Sequence, residues 1–410
     1  MTRVLLLLPT TTYRTPDFLE AARRLGVDVT VASEQSSTLE RLNPDGLLTL
    51  DFYDPEACAR QIVAFARGCP LDAVLGVDED TAVAAAAIAQ ALGLPHNPVP
   101  ATAAARDKGR MRRLLAEAGV PSPSHRLLQR HEDPRRAVAD IRFPCVLKPT
   151  FLAGSRGVIR ANDPEEFVSA WHRIEKILGD PEVERRGGKL AEEILVESFV
   201  PGVEVAVEGL LQRGELRVLA LFDKPDPLDG PFFEETIYVT PSRLPGETQR
   251  RIAQVTGHGA QALGLRVGPI HAELRVNAEG PWLIEIAARS IGGLCSRTLR
   301  FAMGMSLEEL ILRHALAMEV AEPERDRRAA GVLMIPIARA GVLEGVQGLE
   351  TARAVPDIED ITISAHPGQR LVPLPEGSRY LGFVFSRAAT PERAEAALRE
   401  AHTKLKFLIG

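Results

Sequence analysis

Five apolar residues, Val4 to Leu8, run straight into Pro9; a helical pattern follows around Asp17–Leu25, and a second apolar run, Val27–Ala32, begins after the turn at Gly26. Strand, helix and strand in that order form a βαβ unit, and this constrains the fold more than any other feature of the chain. A further helix predicted near Pro55–Ala66 leads to the run Ala73–Val77, and Asp78-Glu79-Asp80-Thr81 caps an alanine-rich helix ending at Gly93. An open parallel sheet with helices on both faces follows. The first strand-to-helix loop reads Pro-Thr-Thr-Thr-Tyr-Arg. It lacks the G-x-G-x-x-G pattern, so a dinucleotide site there has little support.

A Pro-rich stretch, Leu94 to Pro100, separates this α/β domain, residues 1–100, from a basic helix predicted over Thr102–Ala118. Residues 101–193 then read as a small α+β unit of lid size: a strand at Pro144–Pro149, a glycine loop at Ala153–Val158, a helix over Pro164–Leu178 and a polar stretch, Gly179–Lys189. Strands dominate residues 194–330, at Ile194–Glu197, Val203–Leu211, Leu216–Phe222, Phe232–Val239, His271–Val276 and Trp282–Ile286. A helix over Glu247–Leu263 interrupts them, and another, Leu307–Met318, follows. A charged stretch, Glu322–Arg328, opens the last segment, residues 331–410, which is β-rich and ends in a helix from Pro391.

A net charge of −6 argues against a chain built to neutralise nucleic-acid phosphates. The apolar start is too short for a signal segment or a membrane span. Cys58, Cys69, Cys145 and Cys295 lie far apart, with no C-x-x-C pair, which disfavours structural zinc. The expectation is a cytoplasmic protein acting on small molecules, with no nucleic-acid or membrane partner; a homodimer is the form expected if it assembles. The 49 basic residues include only seven lysines, so each lysine is worth asking about, although coding bias accounts for the overall excess of arginine.

Glu273 and Glu285 sit on successive apolar strands joined by the turn Asn277-Ala278-Glu279-Gly280. Antiparallel strands in that register bring both side chains to one face, where mutual repulsion favours a hard cation such as Mg²⁺. Ordinary outward positions on a half-exposed sheet produce the same pattern. Arg289 stands beside Gly292-Gly293, suited to a bidentate contact with a carboxylate or acyl phosphate, or equally to a surface ion pair. Lys148-Pro149 precedes Gly154-Ser155-Arg156-Gly157, a loop that can aim backbone N–H groups at phosphate; such a turn is also a common hairpin. Arg106-Asp107-Lys108 alone reads as a solvated basic face. The strand that stops at Glu197, kinks at Pro201-Gly202 and restarts at Val203 exposes backbone groups suited to a planar base.

In this order the pieces resemble the ATP-grasp superfamily over roughly residues 100–320. The resemblance implies an ATP-grasp fold in which Lys108, Lys148 and, as a weaker third, Lys224 reach phosphate. Gly154, Ser155, Arg156 and Gly157 would cover it, Glu197 and Val200 contact adenine, Glu204 takes the ribose, and Glu273 and Glu285 hold Mg²⁺ or Mn²⁺. The stretch Phe232–Ser242, the run Glu285-Ile286-Ala287-Ala288-Arg289 and the tail from Gly331 are similar to the L-amino acid ligases, which join two amino acids through an acyl phosphate. That likeness implies Glu235 on the ammonium of the first amino acid and Arg289 on its carboxylate or acyl phosphate. Tyr238 stands where those ligases carry histidine, and Ala287 where many ATP-grasp enzymes place a metal-binding asparagine. A biotin-carboxylase-like or purine-pathway carboxylase, and a non-catalytic nucleotide-binding relative, remain alternatives.

Overall fold

A computed structural model describes residues 2–319 and 325–410, the side chain of residue 303 excepted. The predicted parallel sheet is present, in the order Leu47–Thr49, Asp28–Ser33, Arg3–Leu7, Ala73–Gly76. Val4 to Leu7 are fully buried because helices cover both faces. The strand Leu47–Thr49 was not apparent in the sequence; it is three half-buried residues long, too short for periodicity to register.

The lid is a four-stranded antiparallel sheet in the order His125–Gln129, Glu193–Ser198, Cys145–Pro149, Ile159–Ala161. Helix Pro164–Leu178 packs on it through Phe167, Trp171 and Ile174. The strand Glu193–Ser198 pairs with Cys145–Pro149, so the chain leaves this sheet at Pro201-Gly202, beyond the boundary expected at 193. The polar stretch Gly179–Lys189 folds into the helix Pro181–Gly187, capped by Asp180.

An eight-stranded sheet forms the core, in the order Gly280–Ala287, Gly268–Asn277, Val203–Gln212, Glu215–Lys224, Ile237–Thr240, Ala329–Ile335, Gly382–Ala388, Ile358–Ile363. Its last three strands come from the C-terminal segment. The sheet therefore runs without a break through the boundary expected at 330, which lies inside the strand Ala329–Ile335.

Two differences from the sequence reading shape the cavity. The basic helix is two helices, Val99–Arg106 and Lys108–Glu117, broken at Asp107, whose side chain accepts from the Arg110 N–H. Asp at that position offers the backbone a cap in place of a helical turn. The strand expected over Phe232–Val239 is regular only at Ile237–Thr240, leaving Glu234 and Glu235 on irregular backbone. Of the charged stretch Glu322–Arg328, residues 322–324 lie outside the described residues; Arg328 pairs with Asp326 at 3.1 Å.

Candidate active site

A cavity of about 480 Å³ opens where the N-terminal domain, the lid, the core sheet and the C-terminal segment meet. Of the fifteen positions singled out from sequence, thirteen line it. Gly157 and Lys224 do not.

On the lid side, Glu197 sits opposite Val146 in the antiparallel pairing and is 3% exposed. It accepts from Lys148 Nζ at 2.7 Å and from Arg112 Nε at 2.6 Å. Burial raises its pKa, but the two cations outweigh burial and hold it at about 2. Arg112 also donates to the carbonyls of Leu283 and Ile284, tying the basic helix to the core sheet. This helix is therefore not a solvated face: Lys108 and Arg112 are buried, and the Asp107 break sends Lys108 inward to donate to the Leu152 carbonyl at 2.9 Å.

Beyond Glu197 the chain turns at Gly202, where φ is +124° and a Cβ would lie 2.3 Å from the Val276 carbonyl oxygen. Only glycine fits that approach. The Val200 carbonyl accepts from Arg275 at 3.0 Å, and Arg275 Nε reaches Glu204 at 3.0 Å. Its guanidinium lies over the Phe199 ring, 5.0 Å from the centroid.

Glu273 and Glu285 face each other across the antiparallel pair Gly268–Asn277 and Gly280–Ala287. Lys108 Nζ is 3.1 Å from Glu285. Glu204, Glu235 and Glu273 bring carboxylate oxygens within 4.8 Å of one another. The Lys224 ammonium lies among them, 2.8 Å from Glu204, 2.5 Å from Glu235 and 3.2 Å from Glu273. Burial raises Glu235 to about 7, with Lys224 opposing and the Glu273 charge adding to the rise. Burial also acts on Glu273, but Lys224 and His271 keep it well below the usual carboxylate range.

The Tyr238 hydroxyl donates to Glu235 at 2.7 Å, and its ring carries the Lys224 ammonium 4.9 Å from the centroid. His271 lies between Glu208 at 3.3 Å and Glu273 at 3.6 Å; burial lowers its pKa, yet the two carboxylates raise it to about 8. Arg289 Nε meets Glu79 of the N-terminal domain at 3.0 Å.

The glycine loop owes its shape to three left-handed residues, Gly154, Ser155 and Gly157, at φ +63°, +55° and +76°. Gly157 faces away from the cavity because its N–H donates to the Pro375 carbonyl at 2.8 Å. Arg156 Nε donates to the Glu376 carbonyl at 2.8 Å, so a C-terminal turn holds the loop. Arg112, Arg275, His271 and Glu79 escaped the sequence reading, for each is defined by a partner distant in the chain.

Residues 141–298 match the ATP-grasp domain, residues 19–96 the ATP-grasp N-terminal domain, and residues 333–410 the L-amino acid ligase C-terminal domain 2. The crystal structure of L-amino acid ligase from Bacillus licheniformis superposes with a TM-score of 0.85 at 26% identity, covering 100% of this chain and 99% of that one. Alanine–anticapsin ligase of Bacillus subtilis is 30% identical over 63% of this chain, a match spanning 56% of that ligase's length. Carboxyaminoimidazole ribonucleotide synthase from Aspergillus clavatus, solved with ATP, shares the fold with a TM-score of 0.74 at 20% identity over 98% of both chains. Among the described residues no helix is long and apolar enough to cross a membrane. The cavity's carboxylates and lysines, the lid above them and these likenesses agree: the chain belongs to the ATP-grasp superfamily and resembles its L-amino acid ligases.

Proposed function

We propose that this protein is an ATP-dependent carboxylate–amine ligase that joins two L-amino acids into a dipeptide. The observation that carries the reading is the convergence on one cavity of Lys108, Lys148, the cross-strand pair Glu273–Glu285 and Arg289. Lysines and an arginine suit a triphosphate, and carboxylate oxygens suit a hard cation such as Mg²⁺, with Mn²⁺ an acceptable substitute. The residues present thus fit both groups. Glu273 and Glu285 would hold the metal, which when bound spreads phosphate charge.

The remaining chemistry falls to the chain. Lys108 and Lys148 neutralise the phosphates, while Lys224, enclosed by Glu204, Glu235 and Glu273, holds those carboxylates together from behind the cavity surface. Gly154, Ser155 and Arg156 cover the phosphates, Gly157 fixes that loop from behind, Glu197 and Val200 border the adenine, and Glu204 takes the ribose hydroxyls. Glu235 binds the ammonium of the first amino acid, and Arg289 orients its carboxylate toward the γ-phosphoryl group. Phosphoryl transfer forms a carboxyl–phosphate bond and releases ADP. A second amino acid, as the free amine, then attacks the carbonyl carbon; a C–N bond forms, phosphate leaves and the amine gives up its proton. The lid excludes water from the acyl phosphate. Tyr238, in place of histidine, offers a hydroxyl that donates and stays protonated, because burial first, then the Glu235 charge, raise its pKa well above the ordinary value.

A phosphate-release screen over amino-acid pairs with ATP and Mg²⁺ tests the reading. Release only with competent pairs is the expected result; none across a broad panel refutes it, and bicarbonate-dependent turnover without amino acids would indicate a carboxylase. Loss of Mg²⁺-dependent turnover in Glu273→Ala and Glu285→Ala is expected; retention of it would remove the metal assignment.

A further inference from the structure

Beside Glu235 and Tyr238, part of the cavity lining is a largely apolar wall. Ile291, Cys295 and Met334 line it from the core, Tyr13 from the first strand-to-helix loop, and Tyr380 from the C-terminal segment. These side chains form one packed unit. Cys295 Sγ lies 3.6 Å from Met334 Sδ, and the Phe383 ring meets Tyr13 and Tyr380 with centroids 5.5 Å and 6.0 Å apart. The backbone passes at Gly293 with φ +60°, where a Cβ would lie 3.0 Å from Phe383, so no side chain intrudes there.

The wall adjoins the Glu235 carboxylate. The Met334 N–H donates to the carbonyl of Thr236, the next residue, at 2.7 Å. After burial, the Glu235 charge is the next cause raising the pKa of both Cys295 and Tyr380. Arg379 also borders the cavity, but its side chain is exposed. An anionic side chain placed against Ile291, Cys295 and Met334 would lose its water beside the Glu235 carboxylate, a cationic one would compete with the substrate ammonium for that carboxylate, and a small one would leave the wall unfilled.

We propose that this wall receives the side chain of the amino acid whose ammonium Glu235 holds, making the acyl donor an L-amino acid with a bulky, uncharged apolar side chain, of the leucine, methionine or phenylalanine class. The inference rests on the dipeptide-ligase reading above. It assigns Tyr13 and Tyr380, from opposite ends of the chain, to substrate selection.

The test measures kcat/KM for phosphate release with a panel of donors and a fixed acceptor, in the full chain and in Tyr380→Ala and Tyr13→Ala. Leucine, methionine and phenylalanine should exceed glycine and alanine by roughly tenfold to a hundredfold, with aspartate and lysine inactive. Each variant should raise the phenylalanine-to-leucine ratio by about tenfold, by enlarging the wall, and leave the KM for ATP unchanged. Two variants from different domains guard against one failing to fold. Turnover that favours glycine, aspartate or lysine overturns the inference and leaves the ligase reading standing, as does a donor ranking untouched by both variants. Absence of turnover with every donor overturns both.

Discussion

Replacing Glu197 by glutamine probes the pair of cations that the lid turns toward the cavity. The carboxylate is 3% exposed and its partners, Lys148 and Arg112, are 2.7 Å and 2.6 Å away. In the wild type its pKa falls from the ordinary 4.5 to about 2. At about 1.4 kcal/mol per pH unit, this contributes about 3 kcal/mol of stability near neutrality. A depressed pKa gives stability that is present above 4.5 and is lost as pH falls toward about 2. Glutamine removes this contribution and leaves two buried cations with a neutral partner, so Glu197→Gln should cost about 3–5 kcal/mol near pH 7. Urea unfolding followed by tryptophan fluorescence reads it out, since Trp171 is fully buried in the lid layer that contains Val196 and Leu147. The gap between wild type and variant should narrow as the pH is lowered through 4.5. A gap under about 1 kcal/mol near pH 7, or one that stays constant into acid, would refute the reasoning.

Lys148→Arg should lower kcat/KM for ATP by about a hundredfold, because a larger planar cation must fit the buried place of a compact one, whereas Lys176→Arg on the exposed face of its helix should stay within about twofold. Arg173→Ala breaks an exposed pair with Glu376, so the melting temperature should hardly move; amine-independent ATP hydrolysis should rise several-fold as the turn at Pro375 loosens its hold on the glycine loop. Equal hydrolysis in wild type and variant would separate that turn from closure. Tyr238→Phe removes the donor to Glu235 and should lower kcat by roughly tenfold while the KM for ATP holds; Tyr238→His should retain more activity than the phenylalanine variant.

The parts of the fold legible from sequence are those whose physics is local. Val4 to Leu8 announce a buried strand because every position is apolar, and Glu273 and Glu285 can be paired because a short turn fixes their register. Asp107 carried a helix break that the basic pattern around it concealed. What stayed hidden depends on partners far along the chain. Arg112 meets Glu197 across 85 residues, Arg289 meets Glu79 across 210, and Arg156 meets Glu376 across 220. No periodicity encodes such meetings. The excess of arginine obscured them further, since Arg14, Arg112 and Arg275 are buried among many that are solvated. Lys224 could be found by its place before the substrate stretch, but its position among three carboxylates required the sheet.

The central claim, that a carboxylate is activated by ATP before an amine attacks it, has a direct test. An amino-acid donor carrying heavy oxygen in its carboxylate is turned over with ATP, Mg²⁺ and an acceptor amino acid, and the released phosphate is analysed by mass spectrometry. Passage through an acyl phosphate transfers a carboxylate oxygen to phosphate in every turnover, so the account predicts labelled phosphate in step with peptide formed. Unlabelled phosphate accompanying peptide formation would contradict it.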